Sequence, residues 1–86
     1  MAKIPITSSN ISDIEWVTEN DQLNLLPGFG AMIITFKRTG QEYAYFPMMK
    51  EVFDYHSREM QNPTPVKSAN DHFKNNIQNL YESQKL

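Results

Sequence analysis

The sequence predicts an α+β fold, in which an antiparallel sheet of three or four strands is covered on one face by two C-terminal helices. The apolar pattern is typical of strands up to Pro47 and of helices after it. A short turn containing Gly40 separates the two clearest strands. Two helical segments then follow, and the proline-containing residues 61–65 separate them, because proline disfavours helical geometry at the residue before it.

The first strand is predicted over residues 8–17. Its apolar positions are Ile11, Ile14, Trp16 and Val17. Residues 19–22 form a polar turn, and residues 23–26 are a candidate short strand. The segment Pro27-Gly28-Phe29-Gly30 ends that strand, because proline and glycine interrupt a regular ladder.

The clearest strand covers residues 31–37 and pairs with residues 42–46. A two-residue Thr39-Gly40 turn predicts the pairs Arg38 with Gln41, Lys37 with Glu42, Phe36 with Tyr43 and Ile34 with Tyr45. The alternation of side chains then directs one apolar set toward the helices. This set is Met32, Ile34, Phe36, Tyr43 and Tyr45. The opposite face carries Ile33, Ala44 and Phe46.

A first helix is predicted over residues 50–60, because apolar residues recur there at intervals of three and four. The second helix is predicted to begin after Ser68, a residue type that caps helices, with Asp71 at the third helical position. Its apolar face is predicted to contain Phe73, Ile77, Leu80 and Tyr81.

The length of 86 residues indicates one domain, and the absence of cysteine excludes disulfides and thiolate metal sites. We therefore expect the cytoplasm as its location. No apolar run approaches the length of a signal peptide or a membrane span. The net charge of −2 divides into −3 through Phe36, from one base and four acids, and +1 after it, from seven bases and six acids. This balance gives little support to general electrostatic binding of nucleic acid.

An ordered set of short motifs extends from residue 6 to residue 81. They are Ser8-Ser9 with Ile11 and Ile14, Ile34-x-Phe36, Gly40, Tyr43-Ala44-Tyr45, Val52-Phe53, and Ser68 with Phe73-x-x-x-Ile77 and Tyr81. In order and spacing they resemble the KTSC domain, a short family named after a C-terminal domain of some lysyl-tRNA synthetases and also found as free-standing bacterial and phage proteins. The resemblance implies one KTSC-like domain over residues 1–86, from a bacterial cell or a phage, with RNA binding as its suggested role.

The pair Tyr43 and Tyr45 is the central motif of this resemblance. Aromatic rings on a sheet can stack nucleobases. The predicted register turns both rings toward the helices, which favours packing in the core, and base stacking and oligomer contact are the alternatives. Buried tyrosine hydroxyls need hydrogen-bond partners, and Ser8, Ser9 and His56 are the candidates.

We expect neither catalysis nor a metal or cofactor. The only histidines are His56 and His72, and no carboxylate stands at a spacing that completes a metal site. Ser8, His56 and Asp54 lack the glycines that flank a nucleophile elbow.

The loop that contains Phe29 is either a tight turn whose ring enters the core or a contact for a partner. Its glycines lack the spacing of a phosphate-binding loop. The bases that are candidates for an anionic ligand are Arg38, Arg58, Lys50 and Lys67.

Two functions are consistent with these observations. The first is a non-enzymatic module that binds RNA or a nucleotide-like small molecule, through Tyr43 and Tyr45 with nearby basic and hydroxyl groups. The second is a small interaction or sequestering protein of phage type, a host-protein inhibitor or a sponge for a nucleotide signal, that acts as a homo-oligomer. Its expected contact residues are Phe29, Ile33, Phe46 and Trp16. Neither function involves a membrane.

Overall fold

The structure is a computed structural model that describes residues 3–19, 21–62 and 68–86. In chain order its elements are β1 (Ile4–Pro5), β2 (Ile11–Val17), β3 (Gly30–Phe36), β4 (Glu42–Met48), α1 (Lys50–Gln61), α2 (Ala69–Asn76) and β5 (Glu82–Lys85). The strands form one antiparallel sheet in the order β1-β2-β3-β4-β5. The predicted α+β class is confirmed, with five strands where three or four were predicted.

The β3–β4 hairpin differs from the predicted register by two residues. Ile34 lies opposite Tyr43, and Met32 lies opposite Tyr45. The connection is the longer loop 37–41, which contains a hydrogen bond from the Gly40 nitrogen to the Phe36 oxygen. Gly40 has the positive φ of 69° that favours glycine. A shift of two residues leaves every side chain on its predicted face.

The predicted pairing of Lys37 with Glu42 is therefore wrong. Glu42 lies opposite Thr35, and its carboxylate is 3.2 Å from the ammonium group of Lys3. The Lys37 ammonium instead donates to the main-chain oxygen of Ser8. The longer loop carries Lys37 out of the ladder, which explains the exchange of partners.

Two predicted strand segments are shorter than expected or absent. The first long strand begins at Ile11 and not at residue 8, because the Ser8 hydroxyl accepts hydrogen bonds from the main-chain nitrogens of Asn10 and Ile11. Residues 23–26 form no strand. Leu23 instead packs its side chain against the sheet.

The helix-covered face of the sheet holds the larger core. Side chains from β2, β3 and β4 meet side chains from both helices there. The buried members from the sheet include Ile11, Ile14, Trp16, Met32, Ile34 and Tyr45, and those from the helices and the following turn are Phe53, Met60, Ala69, Phe73 and Ile77. The predicted placement of the helices on one face of the sheet, and of Tyr45 beneath them, is confirmed.

The second face of the sheet is also covered, although neither α1 nor α2 lies on it. Leu23, Ala31, Ile33 and Ala44 form a buried cluster. Val17, Leu25, Phe46 and Leu86 pack against this cluster. The side-chain amide of Gln84 donates to the main-chain oxygen of Gln22 over 2.7 Å and joins β5 to the covering loop.

The second helix is shorter than predicted. The predicted capping box is present, since the Ser68 hydroxyl accepts from the Asp71 nitrogen. However, α2 ends at Asn76, where both Ile77 and Gln78 donate to the Phe73 oxygen. The chain then turns and pairs with β4 as β5. Leu80 is consequently 70% exposed, and its predicted place on the apolar helix face is wrong.

Among the described residues, no helix combines the length and the apolar character that crossing a membrane requires.

Candidate ligand-binding pocket

A pocket of about 340 Å³ opens beside the ends of β3, β4 and α2, and we call it the aromatic pocket. Four rings line it: Phe36, Tyr43, Tyr45 and Phe73. Four polar side chains complete the lining: Asn10, Lys74, Gln78 and Ser83. This volume lies at the lower end of the range for small-molecule sites.

The rings of the aromatic pocket support one another by edge-to-face contacts. Phe73 projects from α2 onto the sheet, with its ring centroid 5.7 Å from that of Phe36 and 5.3 Å from that of Tyr45. Tyr43 lies 5.7 Å from Phe36. Because Tyr45 and Phe73 are buried, these contacts hold the wall of the pocket in one arrangement.

The hydroxyl group of Tyr45 is a polar group of this pocket that has no hydrogen-bond partner among the described residues. The Tyr45 side chain is only 5% exposed, yet its hydroxyl bonds to no residue in the described part of the chain. Among the described residues, the side-chain atoms that are both fully enclosed and without a hydrogen-bond partner are Asp13 Oδ1 and Thr35 Oγ1. The Tyr45 hydroxyl is not one of them, so it retains contact with solvent through the pocket. Burial, together with the nearby Tyr43, raises the pKa of Tyr45 to about 12, so the group stays protonated and can donate a hydrogen bond.

The rim of the pocket adds further hydrogen-bonding groups. The Asn10 amide donates to Asn70 Oδ1 over 2.9 Å, which leaves the Asn10 carbonyl oxygen as an acceptor. Gln78 and Lys74 are exposed, and neither side chain is hydrogen-bonded to a described residue. The pocket therefore offers aromatic surface, a hydroxyl donor, amide donors and acceptors, and one positive charge.

The two histidines form a buried pair between the helices. His56 Nδ1 lies 2.8 Å from His72 Nε2, and the residues are 6% and 1% exposed. Burial, followed by the neighbouring His72, lowers the pKa of His56 to about 4, so this ring is neutral at pH 7. His56 does not line the aromatic pocket, and it joins α1 to α2.

Several other predicted ligand residues lie away from the aromatic pocket. Arg38 is exposed in the hairpin loop, and Arg58 is exposed in the last turn of α1. Ser9 is exposed, and the Ser8 hydroxyl is occupied by main-chain nitrogens. The structure thus gives neither serine nor His56 as a partner for the Tyr45 hydroxyl. The fourth basic candidate, Lys67, lies outside the described residues.

The residues that sequence reasoning missed are Asn10, Phe73, Lys74, Gln78 and Ser83. They come from three separate segments of the chain, and only the folded topology brings them together. Asn10 adjoins the Ser8-Ser9 motif, and Phe73 belongs to the Phe73-x-x-x-Ile77 motif, so both lie at or beside segments that the sequence singled out for other reasons.

A second concavity, of about 620 Å³, lies between the end of β2, the loop 25–29 and the start of α1. We call it the apolar cleft. Its lining includes the apolar side chains of Trp16, Leu25, Leu26, Pro27 and Phe29 and the charged side chains of Glu19 and Lys50. The Lys50 ammonium lies 5.3 Å from the ring centroid of Phe53 and 6.0 Å from that of Trp16.

The four predicted contact residues have different environments. Phe29 is 36% exposed and lines the apolar cleft, as does the largely buried Trp16, which packs on Phe53 at 5.2 Å. Ile33 is 3% exposed beneath the covering loop, and Phe46 is half-buried there. The prediction that Ile33 forms an open contact surface is therefore wrong, because Leu23, Leu25 and Leu86 pack over that face.

Among the described residues, no group of three or more histidine, aspartate or glutamate side chains is arranged to hold a metal ion.

No protein-family model matches this chain, and no curated protein or solved structure is significantly similar to it. The resemblance to the KTSC domain therefore stays a prediction from short motifs, and the candidate sites depend on their geometry alone.

Proposed function

We propose that this protein is a non-enzymatic binding module that holds a nucleobase, either in a free nucleotide or in single-stranded RNA, in the aromatic pocket. One observation carries the proposal: the nearly buried Tyr45 side chain ends in an unpartnered hydroxyl group at the pocket. A ligand that accepts a hydrogen bond from this hydroxyl would replace its contact with solvent, for a net gain of about 0.5–1.5 kcal/mol.

A nucleobase matches the remaining features of the pocket. Its flat ring system fits against aromatic side chains, and each base stacked in this way contributes about 1–3 kcal/mol. Its edge carries donors and acceptors that complement the amides of Asn10 and Gln78 and the hydroxyl of Tyr45. Lys74 supplies a positive charge for a phosphate group.

The charge of the protein indicates whether contacts to the base or to phosphate groups should dominate the affinity. With a net charge of −2 and one lysine in the pocket, the chain lacks the basic surface of a general RNA-binding protein. We therefore expect contacts to the base to dominate. The logarithm of the binding constant should fall with the logarithm of salt concentration with a slope of about −0.7, the value for one phosphate of a single strand.

Isothermal titration calorimetry with the four ribonucleoside 5′-monophosphates tests this proposal, with ribose 5-phosphate as the control that lacks a base. We expect at least one nucleotide to bind and ribose 5-phosphate not to bind. Tyr45→Phe should weaken binding roughly 2- to 12-fold, because it removes one hydrogen bond and keeps the ring. Tyr55→Phe, at a tyrosine 47% exposed on α1, is the matched control and should leave affinity unchanged.

Equal affinity of wild-type and Tyr45→Phe proteins would contradict the proposed role of the hydroxyl. Failure of all four nucleotides and of a short single-stranded RNA to bind would contradict the proposed function as a whole. The cytoplasmic location and the bacterial or phage source are part of the same proposal, supported by the cysteine-free sequence and by the motif resemblance.

A further inference from the structure

Of the five large hydrophobic side chains that are exposed among the described residues, two line the apolar cleft and a third, Met49, adjoins its lining in sequence, whereas Tyr55 and Leu80 lie outside it. Among the described residues, Leu26, Phe29 and Met49 are 61%, 36% and 49% exposed. Leu26 and Phe29 line the cleft, and Met49 immediately precedes Lys50 in its wall. Clustered exposed hydrophobic residues beside a concave surface are typical of a protein contact site.

We infer that the apolar cleft is the surface through which two copies of this chain associate about a two-fold axis. A two-fold interface uses the same patch on both subunits, so the patch must be complementary to itself. This patch contains both a concave surface and the protruding side chains of Leu26 and Phe29 from one of its walls. In such a dimer, Leu26 and Phe29 of each copy can insert into the apolar cleft of the other copy.

The charges of the cleft identify a second copy as the occupant. Glu19, after β2, and Lys50, at the start of α1, are the charged side chains in the lining. A two-fold axis that brings Glu19 of one copy opposite Lys50 of the other also brings the reciprocal pair together, so a second copy can match both charges at once. A polyanion or a polycation would match only one of them. The Lys50–Asp54 pair within α1 is exposed and contributes only a few tenths of a kcal/mol, so Lys50 remains available to Glu19.

The loop that forms the cleft is already shaped for contact. A hydrogen bond of 3.1 Å from the Phe29 nitrogen to the Leu26 oxygen closes the turn, and Gly28 adopts the positive φ of 85° that the turn needs. Gly30 passes so close to Trp16 that an added Cβ would lie 2.5 Å from its ring. Little ordering is therefore required on association, which lowers its entropic cost.

The lining residues of the apolar cleft and the aromatic pocket do not overlap. Dimerisation is consequently independent of the proposed function, and either can fail without the other.

Sedimentation velocity between about 10 µM and 1 mM tests the inference, because a small interface has weak affinity. We expect the mass to rise from 10.0 kDa toward twice that value as concentration increases. Leu26→Asp should weaken association at least tenfold, because it places a charge in the apolar contact. Leu80→Asp, the same change at a leucine 70% exposed outside the cleft, should leave association unchanged.

A charge-reversal experiment then identifies the symmetric pairing. Glu19→Lys and Lys50→Glu should each weaken self-association at least tenfold, because each places like charges opposite one another. An equimolar mixture of the two variants should associate again, since every pair in the mixed dimer is of opposite charge. Circular dichroism confirms that each variant is folded before it is compared.

Three results would overturn the inference. They are a monomer throughout the concentration range, a Leu26→Asp protein that still dimerises, and a mixture of charge variants that does not associate. If the cleft binds a peptide while the protein stays monomeric at every concentration, the inference is likewise overturned.

Discussion

The aromatic pocket and the apolar cleft differ in the groups that their linings leave without a contact: polar groups in the pocket and apolar side chains in the cleft. The aromatic pocket has an unpartnered hydroxyl at Tyr45, and Gln78 and Lys74 at its rim have no hydrogen-bond partner among the described residues. The apolar cleft exposes Leu26 and Phe29 instead. Unpartnered polar groups favour a ligand that supplies hydrogen bonds, whereas exposed apolar groups favour a surface that excludes water.

This difference has its origin in the elements that build each site. The aromatic pocket is formed by side chains that also belong to the core, with Tyr45 and Phe73 nearly buried. The protruding part of the apolar cleft is a loop whose side chains extend beyond the core. Substitutions should therefore affect stability strongly at Tyr45 and Phe73 and weakly at Leu26 and Phe29 in the loop of the apolar cleft.

The largest expected effect is that of Tyr45→Ala. We predict that it lowers the free energy of unfolding by about 3–5 kcal/mol, because it removes a buried ring that packs on Phe73. Phe29→Ala, which truncates an exposed ring in the apolar cleft, should cost less than about 1 kcal/mol. Urea denaturation of both variants under identical conditions measures the difference. Similar losses in the two variants would contradict the contrast between the sites.

An intermediate effect is expected from acidification, through the histidine pair that joins α2 to α1. His56 has an ordinary pKa of 6.5 when unfolded and about 4 when folded. The unfolded chain therefore binds a proton that the folded chain excludes, so this contribution to stability is present above pH 6.5 and is lost as pH falls toward 4. After allowance for solvent screening, we expect a loss of about 2 kcal/mol.

His56→Gln separates this effect from the titration of carboxylates, because glutamine keeps hydrogen-bonding groups without titrating in this range. Thermal denaturation of both proteins at pH 7, 5.5 and 4.5 is the measurement. The wild-type protein should lose more stability than the variant across the series. Parallel curves for the two proteins would show that His56 does not contribute to the dependence on pH.

The sequence was a good guide to which side chains face the helices and a poor guide to exact pairing. The prediction for Tyr45 held although the hairpin register was wrong, because a shift of two residues preserves the alternation of faces. Ser68 and Asp71 likewise predicted the start of α2 from local chemistry alone. The alternation of side chains along a strand and the capping pattern of a helix were thus reliable signals, whereas the Thr39-Gly40 turn was not.

Strands and pocket linings that depend on contacts between residues far apart in the chain could not be predicted from local sequence patterns. Strand β5, over Glu82–Lys85, is entirely polar and exposed, and only its pairing with β4 makes it a strand. Leu86 covers Ile33 on the second face although the two are far apart in the chain. For the same reason the sequence pointed to Tyr43 and Tyr45 and missed Asn10 and Gln78, which join them only in the folded protein.

The most direct test of the central claim is to locate the bound nucleotide by two-dimensional ¹H–¹⁵N NMR, with each ribonucleoside 5′-monophosphate in turn. We predict that the side-chain amide signals of Asn10 and Gln78 shift on addition of a binding nucleotide, while the indole N–H signal of Trp16 in the apolar cleft does not. A shift at Trp16 with none at Asn10 and Gln78 would contradict it.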